Sequence, residues 1–139
     1  MIAAVSLFSL LCLSMSFAQT DEHPPLLSVK DIMNGLIAPT TTTIWGAYQL
    51  ETAAQWQEVR NAALSVIAAG NLLQFGGTGE GEVVAAAEED WKTYNQQMIE
   101  AAKLVIVAAD NKDEEKLSAV GNDALYPPCE SCHQQYQKR

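Results

Sequence analysis

Positive charge is scarce in this sequence. Its 139 residues hold 8 Lys and Arg against 17 Asp and Glu, which leaves a net charge of −9 at pH 7. A chain this acidic has no basic face with which to neutralise a phosphate backbone, so no nucleic-acid partner is expected. The same charge suits solubility and attraction to basic proteins. Histidine is scarcer still, with His23 and His133 alone. Segments that alternate apolar and polar residues are few, and no internal repeat or low-complexity tract appears, so helices are the expected elements. Apolar runs are missing too, except at the very start.

That start, Met1 to Ala18, is uncharged and apolar for most of its length and ends in Ser16-Phe17-Ala18. Small residues three positions and one position before Gln19 fit a signal-peptidase cut. The run is short for a membrane span and no stop-transfer pattern follows it, so no stable membrane insertion is expected. It carries no Lys or Arg, which leaves a retained N-terminal anchor as the alternative. Cys12 follows Leu11 rather than a small residue and reads as a passenger in this run, not a lipid attachment site. Residues 19–139 then form one domain, long enough for a single core.

Four helices are expected in that domain. Leu26, Val29, Met33, Leu36, Ile37, Ile44 and Tyr48 make one stripe. Ser28 stands as N-cap, Pro24-Pro25 block extension backwards, and a kink or break is expected near Pro39. A second helix starts near Thr52 and turns Trp56, Val59, Ala63, Val66, Ile67, Gly70 and Leu73 inward, ending at the glycine-rich run 76–81. The third carries Val84, Ala87, Trp91, Tyr94, Met98, Ala101, Ala102, Val105 and Ala108 at steps of three and four, a bundle seam. Asp113 caps a fourth through Leu117, Val120 and Ala124. Pro127-Pro128 are expected to interrupt it, or to start a short last helix over Cys129 to Tyr136. Four amphipathic helices with short connections describe an all-α, antiparallel four-helix bundle.

The chemistry lies in Cys129-Glu130-Ser131-Cys132-His133, the C-x-x-C-H pattern of covalent haem attachment. Thiols three residues apart on one helical turn lie on the same side, within reach of both vinyl groups of one porphyrin. The adjacent imidazole can then ligate the iron. Three rivals are weaker. A thioredoxin-like pair wants a βαβ setting. A structural zinc site wants a second pair of ligands, and His23 lies in a proline-flanked tail. A plain disulfide would leave His133 as coincidence.

An exported, all-helical domain with this motif near its C-terminus resembles the class II cytochromes c, the cytochrome c prime family. The tail Cys132-His133-Gln134-Gln135-Tyr136 is similar as well, with an aromatic three residues after the histidine. Gln137 departs from the family, which often has Arg there; Lys138-Arg139 follow it. The prolines before the motif are also unusual for it. The resemblance implies one haem c, bound by Cys129 and Cys132 with His133 as proximal ligand, in the periplasm of a Gram-negative bacterium, in a monomer or homodimer. Function then turns on the sixth ligand. Met33 matches the place where low-spin members carry a methionine, and His/Met coordination would make an electron carrier serving redox partner proteins rather than an enzyme. The alternatives are that Met33 merely fills the core, leaving a five-coordinate iron that binds nitric oxide or carbon monoxide, or that Met98 or His23 ligates. Lys30, one turn before Met33, either pairs with a haem propionate or is solvated. Trp45, Trp56, Trp91 and Tyr94 are expected as core or haem-wall aromatics. Tyr126 and Tyr136 are expected to pack beside the motif.

Overall fold

The computed structural model describes residues 24–137. The expected export segment Met1 to Ala18, Cys12, His23, Lys138 and Arg139 lie outside the described residues. Among the described residues there is no strand, and no helix is long and apolar enough to cross a membrane.

The chain is helical from 29 to 45: α1 (Val29–Ile32), a π segment (Met33–Ile37) and α2 (Ala38–Trp45). Ser28 caps it reciprocally with Asp31, each side chain accepting from the other residue's backbone N–H at 3.1 Å. The stripe expected from Leu26 to Tyr48 is too long at both ends. Leu26 is 89% exposed and Tyr48 72% exposed, both outside the helix. Near Pro39, where a kink or break was expected, the helix is not broken but locally widened. A proline cannot donate to the carbonyl four residues back, here Gly35, and its ring crowds that carbonyl. The chain answers by widening one turn, so that the Ala38 N–H reaches Met33 O instead. The β-branched run after it is held by its own hydroxyls: Thr40 donates to Leu36 O at 2.6 Å and Thr41 to Ile37 O at 2.8 Å.

Helix α3 (Ala53–Leu73) begins as expected, with Thr52 and Gln55 forming a capping box. It buries Trp56, Val59, Ala63, Val66, Gly70 and Leu73, with Ile67 half-buried. The glycine-rich run after it is pinned. The Glu82 carboxylate accepts from the N–H groups of Val29 and Gly79, each at 2.9 Å, and Thr78 N–H donates to Leu27 O at 3.0 Å. Glycine is needed here for room, because a Cβ on Gly77 would collide with Glu82 Oε2 and with Val29 N.

The third helix starts later than expected. A short α4 (Glu82–Ala86) comes first, with Val84 71% exposed, and α5 (Glu89–Asp110) carries the seam from Trp91 through Ala108. Last come α6 (Glu114–Val120), a second π segment (Gly121–Leu125) and α7 (Tyr126–Tyr136). The Asp113 cap holds, accepting from Lys116 N–H at 2.9 Å. Pro127-Pro128 do not interrupt this stretch. They sit in the first turn of α7, and the widened turn before them absorbs their missing donors.

Packing is closest between α3 and α5. Arg60 pairs with Asp110 at 2.9 Å, Asn95 Nδ2 donates to Gly70 O at 2.9 Å, and Trp91 Nε1 donates to Leu73 O at 2.9 Å. Their contact is lined with Ala63, Ala69, Ala101, Ala102 and Ala108 around Val59, Val66 and Val105. Small side chains bring the backbones close, and a Cβ on Gly70 would stand 2.6 Å from Ile99. α2 lies against α3, while α6 and α7 lie against α5.

Candidate functional site

Helix α7 sets Cys129 and Cys132 on one face, with His133 beside the second sulfur. Both cysteines are free thiols, and the Cys129 S–H donates to Leu125 O at 3.2 Å. Burial pushes both thiols up; Cys132 rises to about 11, with Cys129 beside it adding to the effect. Redox dithiols are activated by a lowered pKa. This pair has the opposite character.

Across from α7 stands the first π segment. A cleft of about 930 Å³ opens between them, lined by Cys129, Cys132 and His133 on one side and by Lys30, Met33 and Ile37 on the other. It falls within the roughly 300–1,000 Å³ range of sites that enclose a small molecule or cofactor. Its inner end is a chamber of about 40 Å³, where the same cysteines, His133 and Met33 meet Leu73, Trp91, Asn95 and Met98. The structure therefore brings all four of the expected site residues to one cavity. It also brings Met98, the second thioether, into the chamber. Met98 is buried, whereas Met33 is half-buried and borders both chamber and cleft.

Trp91 forms the shared wall. Its ring meets that of Tyr136 edge-on, with centroids 5.1 Å apart. The Tyr136 hydroxyl donates to Glu88 at 2.8 Å, and Gln135 Nε2 donates to Asp90 at 3.1 Å, so the end of α7 is tied to the start of α5. Burial and the Glu88 carboxylate push the Tyr136 phenol up to about 12. Gln137 lines the cleft, as does Lys30, which is exposed at its rim. Of the other aromatics, Trp56 is buried away from the cleft. Trp45 lines the cleft's far end, meets the half-exposed Tyr126 edge-on at 6.3 Å, and donates from Nε1 to Gly121 O at 3.0 Å.

Sequence reasoning missed Asn95 and Glu82. Asn95 Oδ1 is buried without a hydrogen-bond partner and its residue lines the chamber. The signal was there, since Asn95 interrupts an apolar face between Trp91 and Met98. Glu82 gave no local sign, because its partners stand in a distant helix end and a loop.

Compared with known proteins, the chain matches no family model, no curated protein and no solved structure. The assignment of the site therefore rests on its chemistry. A haem held by thioether bonds needs a large, mostly apolar slot with two thiols and an imidazole on one wall, and a thioether on the opposite wall offers a sixth ligand. These residues fit that group. Asn95 Oδ1, buried without a hydrogen-bond partner, adds a polar acceptor to otherwise apolar chamber walls. Among the described residues no three His, Cys, Asp or Glu side chains come together as a metal site, which bears on the zinc alternative only.

Proposed function

We propose that this chain is an exported mono-haem c-type cytochrome of the cytochrome c prime kind, an antiparallel four-helix bundle that carries electrons and catalyses no reaction itself. One observation carries the proposal: two thiols, an imidazole and a thioether face one cleft from two opposed helical stretches. The contacts of Arg60 with Asp110 and of Leu73 with Trp91 support an antiparallel α3 and α5.

In this reading Cys129 and Cys132 hold the haem by thioether bonds, and His133 and Met33 ligate its iron. When bound, the haem supplies a one-electron iron couple. The residues around it set how that couple behaves. The Met33 thioether favours the reduced state and so raises the potential. Ile37, Leu73 and Trp91 keep water from the inner chamber, which limits reorganisation as charge moves. Lys30, exposed at the cleft rim, could pair with a haem propionate. The acidic surface, Glu88 and Asp90 beside α7 among it, favours a basic redox partner. The export segment, Met1 to Ala18, supports a periplasmic location.

The second reading is a five-coordinate cytochrome that binds nitric oxide or carbon monoxide. Met98 favours it, because a thioether that packs in the chamber shows that methionine has a filling role there as well. Intact mass of the chain, produced with haem-attachment machinery and export, tests the common ground of both. The expected product is residues 19–139 plus one haem. A haem-free chain with a reducible Cys129–Cys132 bridge would overturn the proposal in favour of a dithiol protein.

A further inference from the structure

The two π segments share one construction. In each, the residue just before a proline donates five residues back: Ala38 to Met33 O ahead of Pro39, and Tyr126 to Gly121 O ahead of Pro127. The carbonyls that Pro39 and Pro127 would leave unpaired in an α-helix, those of Gly35 and Asp123, belong to exposed residues that water can reach. Each segment also joins buried positions that an α-helix would not align. Ile32 and Ile37 are both buried, as are Val120 and Leu125, although each pair is five residues apart. Five residues of α-helix turn the chain well past one full turn, so such a pair would face different ways. The extra residue in the widened turn restores the face. Among the described residues these are the π segments, and they lie in the two stretches that bear the proposed ligands.

We infer that Pro39 is a positioning residue for Met33: by enforcing a π turn it sets the helical phase that turns the thioether into the cleft. This rests on the proposed His/Met coordination. The far half of the helix is fixed by the buried Ile37, Thr41 and Ile44. Counting back from them with α-helical steps rotates the first turn by about 100°. Asn34, the next residue along, then takes the place of Met33, and its amide is no match for the thioether as an iron ligand. In the phase that the π turn sets, the start of the helix meets the Ser28 cap and the Glu82 carboxylate on Val29 N–H. Trp45 braces the other segment from this same helix, through its hydrogen bond to Gly121 O.

The test uses the haem-matured chain in three forms: wild type, Pro39→Ala, and Pro39→Ala with Gly35 removed. Optical spectra are taken oxidised, and reduced with and without carbon monoxide, beside far-ultraviolet circular dichroism. Pro39→Ala should keep its haem and helicity, lose the weak methionine-to-iron band and bind carbon monoxide. Removal of Gly35 brings Ile32 and Ile37 to α-helical spacing and should restore the band and the indifference to carbon monoxide. A Pro39→Ala protein with the wild-type spectrum would overturn the inference, and so would a shortened protein that still binds carbon monoxide. If Pro39→Ala does not fold, the shortened form decides alone by the same readout. A wild type that lacks the methionine band would instead strike the His/Met reading itself, so the two failures are told apart.

Discussion

Helices α3 and α5 run for 21 and 22 residues without interruption, while the stretches 29–45 and 114–136 are each broken by a five-residue π segment. The regular pair carries alanine and valine at its contact and is tied by Arg60–Asp110 and by Trp91 to Leu73. The irregular pair carries Met33 on one side and Cys129, Cys132 and His133 on the other. The scaffold helices also reach the chamber, through Leu73, Trp91, Asn95 and Met98, but from the side on which they pack, so a single periodicity serves. The site helices must both pack and present polar or sulfur groups to one cavity, and one periodicity does not satisfy both demands. π turns are concentrated at functional sites for this kind of reason.

If the division is real, substitutions on the two sides should fail in different ways. The largest effect is expected at the site itself. Changing Cys129 and Cys132 together to Ser should abolish covalent haem, seen as a chain of unmodified mass, because no thiol remains to form a thioether. On the scaffold, Trp56→Ala should cost about 3–5 kcal/mol of stability in a denaturant titration, since it empties a buried volume. The haem spectrum of the folded fraction should stay as in the wild type. A spectrum that changed with Trp56 would break the comparison.

Met33→Ala should do the reverse. It should remove the methionine band, open the iron to carbon monoxide and lower the reduction potential measured by redox titration, with a smaller loss of stability than Trp56→Ala. Met98→Ala should leave the band in place. The opposite pattern would move the ligand to α5 and into the regular pair.

Smaller effects sharpen the same contrast. Thr52→Ala removes the capping side chain of α3 and should cost about 1 kcal/mol by thermal or chemical unfolding, with no change in the spectrum. Tyr136 offers a pH test. Its phenol is raised in the folded state to about 12, so folding favours the neutral form. The contribution is complete below the ordinary phenol value near 10 and is lost as pH rises towards 12. Tyr136→Phe should therefore flatten the alkaline loss of stability in that window.

Much of this was legible in the sequence, for physical reasons that also explain the exceptions. The inner face of α3 and the seam of α5 follow one period with no competing demand, so Trp56 to Leu73 and Trp91 to Ala108 were predicted at the right positions. The caps at Ser28, Thr52 and Asp113 are local chemistry and were readable as such. Pro39 and Pro127 were rightly marked as trouble for a helix, and Pro127-Pro128 do open the last helix, as one of the two readings had it. The widened turns before these prolines were not foreseen, because the buried positions Ile37 and Leu125 that they align are not revealed by the local sequence. The start of α5 was set too early for a similar reason. Val84 and Ala87 read as apolar seam, but the fold leaves both exposed, on and just after the short α4. At the site, C-x-x-C-H and Met33 were singled out from spacing and resemblance, and the fold brings them to one cleft. Asn95 was passed over although it interrupts an apolar face, and Glu82 was missed because its bond to the Val29 N–H joins segments far apart in the chain.

The most direct test of the central claim is an optical spectrum of the haem-matured protein, oxidised and reduced, with carbon monoxide added to the reduced form. Sharp low-spin bands, a weak methionine-to-iron band near the red edge and no response to carbon monoxide are the result expected of His133 and Met33 on one iron. A high-spin spectrum that shifts at once with carbon monoxide would contradict it.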